Sequence, residues 1–236
     1  MAWWFKPICA ALLTVLPFSV LAVPISDPAG DSLKTFIPGD DPALHADTDV
    51  ISSEVFYNST TNRFTFTGTH AADIGTSKLA DGTPSAIYVW GLDRGQGLPL
   101  LSAIVDDVLF DSVVVLRADG TGAFIDIVGG NTTTRISGVQ IDGPTIGAEV
   151  DGSIIPSLGV FSPEDYTWNL WPRFILAGNI FTDPAVSDFA PNRGNAALTI
   201  VGVVPEPATL LSFALGLLLI VFAQKTIAKN PRRFKF

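Results

Sequence analysis

The stretch VISSEVFY at residues 50–57, the turn NSTTN at 58–62 and the stretch RFTFTGT at 63–69 decide the fold class. In the third of these, Phe64 and Phe66 alternate with Thr65 and Thr67. A period of two puts both rings on one face of a strand. The first run is rich in β-branched and aromatic residues, and Asn58 to Asn62 is a cluster of turn formers. Together they predict a β-hairpin with a five-residue loop.

The same signature recurs along the chain. Ala86 to Leu92 carries Ile87, Val89 and Trp90 before a turn at Asp93, Arg94 and Gly95. Val108 to Arg117 and Gly122 to Val128 flank Ala118, Asp119, Gly120 and Thr121, a second hairpin on an Asp-Gly turn. Val113 to Leu116 is an unbroken apolar run, which predicts a strand buried on both faces. Thr132 to Ile141 and Ile146 to Val150 are two further strands, parted at Asp142, Gly143 and Pro144, and Ala196 to Val203 is the last. Ser162 to Leu176 predicts one short helix, with Ser162 as N-cap and Pro163 at its first position. About eight to ten strands with closely spaced turns predict an all-β chain, an antiparallel β-sandwich over residues 23–203. No fixed-period repeat points to a solenoid.

The two ends are of a different character. Residues 1–22 hold 17 apolar residues and one charge, Lys6, and Val20-Leu21-Ala22 places small residues at a signal-peptidase site. This predicts a secretory signal peptide cleaved after Ala22. Residues 207–224 are uncharged, and Leu210 to Ala223 are almost continuously apolar. At 1.5 Å per residue such a helix is about 27 Å long, enough for a hydrocarbon core. Lys225, Lys229, Arg232, Arg233 and Lys235 follow it, and such a basic cluster keeps residues 225–236 cytoplasmic. The expectation is one C-terminal transmembrane helix, with everything before it exported.

Composition agrees with this division. The chain has 236 residues, a formal charge of −9, 47 % hydrophobic and 16 % charged residues, and a mean hydropathy of +0.40. Disorder is excluded by that apolar content, and a nucleic-acid partner by the acidic balance. Residues 23–203 alone carry 22 acids and 8 bases, so the −9 averages an acidic body of −14 with a basic tail. Cys9 is the single cysteine and lies in the signal segment, so neither a disulfide framework nor a thiolate zinc site is available.

Residues 204–236 begin with Pro205, Glu206 and Pro207, continue into the apolar span and end in the Arg/Lys tail. In that order they resemble the PEP-CTERM sorting signal of exported bacterial proteins. The resemblance implies export by the general secretory machinery and retention in the inner membrane as a single-pass precursor with a cytoplasmic C-terminus. An exosortase would then recognise Pro205, Glu206 and Pro207 and process the chain. The product would reach the cell surface or the exopolysaccharide matrix of a Gram-negative bacterium. In the body, Asp27 to Asp31, the hairpin and Tyr88 to Gly95 are similar to DOMON-like and carbohydrate-binding β-sandwich modules.

Several residue groups are candidates for chemistry. Asp27, Asp31, Asp40, Asp41, Asp47 and Asp49 offer hard oxygen ligands along one loop region, which suits Ca²⁺. Asp106, Asp107 and Asp111 form a second acidic patch. Trp90, Trp168 and Trp171 are candidates for stacking on a sugar, the last two on one face of the expected helix. Gly30 to Leu33 spells a GDSL hydrolase signature with Ser32 as nucleophile, but no apolar strand precedes it. His45 and His70 both lie early in the chain, where the late base of that family is not found. His45 beside Asp47 is the one pairing that suggests zinc. The expected function is therefore a non-enzymatic exported surface or matrix protein. A calcium- or carbohydrate-binding surface module is the alternative, and an extracellular hydrolase is the least favoured.

Overall fold

The computed structural model describes residues 24–33, 42–78, 82, 85–174 and 185–202. Its strands are β1 (Ile25–Ser26), β2 (Val50–Asn58), β3 (Arg63–His70), β4 (Ala86–Asp93), β5 (Ser112–Arg117), β6 (Gly122–Asp126) and β7 (Thr132–Ile136). They continue as β8 (Gln140–Asp142), β9 (Thr145–Asp151), β10 (Thr167–Phe174), β11 (Ala196–Ala197) and β12 (Thr199–Val201). The expected signal peptide, the apolar span at 207–224 and the basic tail lie outside the described residues. Among the described residues no helix is long and apolar enough to cross a membrane.

Two sheets form. The first runs β2-β3-β9-β8, and the free edge of β2 is covered by β1 on one half and by β12, in parallel, on the other. The second runs β11-β10-β4-β5-β6-β7 and is antiparallel throughout. Both expected hairpins are present. Asn58 Oδ1 accepts from the amides of Thr60 and Thr61 in the first turn, and Asn62 supplies the left-handed residue at φ 52°. In the second, Asp119 Oδ1 accepts from the Thr121 amide and Gly120 has φ 79°.

The period-two pattern becomes the core. Phe64 and Phe66 of β3 point inward with Val55, Tyr57, Ile146, Ala148 and Val150, and meet Tyr88, Trp90, Leu92, Val114, Leu116 and Leu170 of the second sheet. Phe66 and Trp90 sit edge to face at 6.0 Å across the two sheets. The opposite face of the second sheet is also covered. Ile87, Val89, Val113, Val115 and Trp171 pack under Leu101, Val108, Phe110, Val186 and Phe189. This second apolar layer is why Val113 to Leu116 reads as a continuous run rather than an alternation.

Four local expectations are corrected. Ala196 to Val201 is not one strand but two short ones, β11 in the second sheet and β12 in the first. The helix expected over Ser162 to Leu176 is not formed in its described part: Pro163–Asp165 is one 3₁₀ turn, and β10 follows to Phe174. Every residue from Thr167 to Phe174 pairs with β4, so tertiary pairing overrides the capping signal. Pro172 fits because Leu170 and Phe174 send their amides away from β4, to Ala190 and Ala185. Pro172 shares that register, so its missing N–H costs no bond to β4. Thr132 to Ile141 is not one strand either: the chain turns at Gly138 (φ 77°) and passes from the second sheet to the first. The run from Val108 enters its sheet only at Ser112, while Phe110 bridges to Leu98.

Candidate functional site

Residues 24–33 form a strap that ties the β2 edge to the segment 185–190. The Asp27 amide donates to the Ile51 carbonyl, and the Leu33 amide donates to the Ser187 carbonyl at 2.7 Å. Between them Gly30 turns with φ 81°, and its amide donates to Asp49 Oδ2 at 2.8 Å. From the other side, Ser187 Oγ donates to the Thr48 carbonyl. Asp188 Oδ2 accepts from the Val50 amide and its Oδ1 from the Phe189 amide, both at 2.8 Å. These backbone ties bring four carboxylates together at one end of β2.

Asp27, Asp31 and Asp188 each present an oxygen within 4.8 Å of the others. Asp188 is 1 % exposed and Asp27 and Asp49 are 7 % exposed, while Asp31 is open to solvent and accepts from Asn192 Nδ2 at 3.1 Å. Asp27 Oδ2 and Asp49 Oδ1 are buried with no hydrogen-bond partner. Burial pushes the Asp27 carboxyl well above the carboxylate range, and the Asp31 charge adds to the rise. Asp188 is raised in the same way by burial, and Asp27 and Asp31 press it further. Among the described residues, the ion pairs formed by Arg63 and Arg94 lie with other acids.

The sequence reading named Asp27, Asp31 and Asp49 here and missed Asp188. Its signal was present: within AVSDFA at 185–190 an acid is embedded among residues that are otherwise apolar or small. Asp47 does not join the group. It is fully buried in a separate network, accepting from the amides of Gly75 and Ser77, from Ser77 Oγ and from Tyr88 Oη. His45 Nδ1 meets Ser77 Oγ at 3.1 Å, and the same hydroxyl donates to Asp47 Oδ1, so His45 and Asp47 share Ser77 as a neighbour. Asp40 and Asp41 lie outside the described residues.

The other candidates change meaning. Trp90, Trp168 and Trp171 are all buried, at 0, 2 and 4 % exposure. Trp90 Nε1 donates to Ser53 Oγ and Trp168 Nε1 to the Ala197 carbonyl. Trp168 and Trp171 are three apart in a strand and so lie on opposite faces, one in each apolar layer. None presents a ring to a sugar. Asp111 is drawn inside to Arg94, leaving Asp106 and Asp107 exposed. Ser32 lies in the strap, without a regular element around it in the described stretch. An open groove of about 260 Å³ crosses the outer face of the first sheet, lined by Thr65, Thr67, Gln140, Asp142, Thr145 and Glu149 among others.

The described body ends at Gly202, one residue after β12, and residues 203–225 match the PEP-CTERM protein-sorting motif. The chain carries a PEP-CTERM sorting signal. Pro205, Glu206 and Pro207 fall inside the match, as does the whole apolar span at 207–224. The PEP-CTERM signal makes this an exosortase-targeted exported protein that uses the secretion machinery. No curated protein matches the chain.

Proposed function

We propose that this PEP-CTERM chain is a non-enzymatic surface or matrix protein whose β-sandwich is the delivered cargo. The carrying observation is the PEP-CTERM match at 203–225, directly behind a strand that closes the body. β12 zips along β2 from Thr199 to Val201, so the sandwich is complete before the signal starts. The precursor spans the inner membrane once through residues 207–224, with Lys225, Lys229, Arg232, Arg233 and Lys235 on the cytoplasmic side. An exosortase recognises Pro205, Glu206 and Pro207, and the released body joins the exopolysaccharide layer of the cell surface. The body's acidic balance suits a soluble, self-repelling matrix component.

The test replaces Pro205, Glu206 and Pro207 together with alanine in the native host. The altered chain should accumulate in the membrane fraction at precursor mass, while the parent chain appears at the surface or in the medium. Unchanged release of the altered chain would refute recognition through this motif.

A further inference from the structure

We infer that Asp27, Asp31 and Asp188, flanked by Asp49, form a Ca²⁺ site that staples the N-terminal strap to the 185–190 segment. Three carboxylate oxygens already lie within 4.8 Å of one another, and they come from two segments some 160 residues apart in the chain. Carboxylates brought this close repel, and a cation between them removes the cost. The independent sign of a missing ligand is Asp27. Its side chain is more than nine-tenths buried, it faces the other two acids, and its Oδ2 has no donor; the Asp188 carboxyl can bond Asp27 only by holding a proton that a cation would displace. A buried acceptor left unpaired is costly unless something outside the protein's own groups meets it. Asp49 Oδ1, also buried and unpaired, is a second such acceptor beside it.

The donor set selects the ion. All four groups are carboxylates and the set contains neither imidazole nor thiolate, which disfavours zinc and copper. Ca²⁺ tolerates irregular shells of six to eight oxygens, whereas Mg²⁺ demands a small octahedron and keeps its water. Asp31 lies at the solvent side and gives the ion its way in. The Asp188 carboxylate is held rigidly by the amides of Val50 and Phe189, so its position does not depend on the ion. The strap covers part of the second apolar layer, since Leu33 packs against it. Binding therefore locks this cover in place.

The experiment uses the full chain in detergent, stripped with EDTA and titrated calorimetrically with CaCl₂ and with MgCl₂, together with thermal melts. The expected result is one Ca²⁺ per chain. At 10 mM Ca²⁺ and a dissociation constant of roughly 0.1–1 mM, linkage predicts a Tm rise of roughly 3–10 °C. Asp27→Asn should abolish both signals, yet melt in EDTA no lower than the parent, because it removes a repelling charge. Asp31→Asn, at an exposed position with little bearing on folding, should weaken binding at least tenfold. Asp142→Asn, an exposed acid on β8, should leave the response intact. A parent shift under 1 °C with no binding heat overturns the site. So does a full response in Asp27→Asn, and a Mg²⁺ response equal to that of Ca²⁺ overturns the choice of ion.

Discussion

Replacing Arg94 should be the most damaging single charge removal in the sandwich. Arg94 and Asp111 are fully buried and Asp126 nearly so. Arg94 Nε donates to Asp111 Oδ1 and Nη2 to Asp126 Oδ1, both at 2.7 Å, while Nη1 donates to the Pro156 carbonyl at 2.9 Å. The guanidinium also lies 5.5 Å from the centre of the Phe124 ring. Burial alone would lower its pKa, but the bonds from Asp126 and Asp111 outweigh that and raise it. Arg94→Met keeps the aliphatic stem and leaves two carboxylates without their cation. Breaking a buried pair in this way costs about 3–5 kcal/mol. Backbone amides still serve both acids, Arg94 and Gln96 for Asp111 and Gly129 for Asp126, so the lower end of that range applies. For a chain of this size about 3 kcal/mol is a Tm loss on the order of 10 °C. Urea unfolding followed by tryptophan fluorescence gives the free energy, and a thermal melt gives the shift. Adding Asp111→Asn and Asp126→Asn to Arg94→Met should recover much of the loss, because no unpaired charge is then buried. Arg94→Lys should rescue little, since an ammonium cannot bond both acids in a fork. A loss below 1 kcal/mol for Arg94→Met would refute the reasoning.

Two further outcomes follow from single residues. His70 is buried with both ring nitrogens unpartnered, packed edge to face on Tyr88, and burial holds its pKa down to about 3. The unfolded chain takes up this proton near pH 6.5, so the stability contribution is complete above that pH. It falls by up to about 1.4 kcal/mol per pH unit as the pH drops towards 3. His70→Leu should therefore unfold at higher urea at pH 7 and lose less stability between pH 6 and 4; equal pH slopes in the two proteins would contradict this. Gly147, in the middle of β9, leaves no room for a side chain, because a Cβ there would stand 2.7 Å from the Phe66 carbonyl oxygen. Gly147→Ala should cost about 1–3 kcal/mol, read as a lower urea midpoint at unchanged slope.

Much of the sandwich was legible because its signals are local. Phe64 and Phe66 alternate with threonines, Asn58 and Asp119 cap their own turns, and Val113 to Leu116 shows no polar face. The Ser162-Pro163 start is just as local, and it misled: it opens one 3₁₀ turn, while β4 claims the residues after it. The candidate metal group was half legible. Asp27, Asp31 and Asp49 lie close in the chain, but Asp47, between two of them in type and place, turns inward to Ser77 and Tyr88. Nothing in the spacing of aspartates tells which carboxylate finds backbone amides and which is left bare.

The sequence by itself determined the PEP-CTERM signal and the all-β class of the body. A PEP-CTERM signal is a linear feature that machinery reads along the chain. Strand periodicity is likewise a property of neighbours two residues apart. The tertiary structure alone decided which side of each strand meets which layer, and so buried Trp90, Trp168 and Trp171. It also brought Asp188 to Asp27 and Asp31, and Asp111 and Asp126 to Arg94. Those meetings depend on where the chain crosses between sheets. Crossings are set by the summed burial of two apolar layers, a quantity that no single stretch of residues carries.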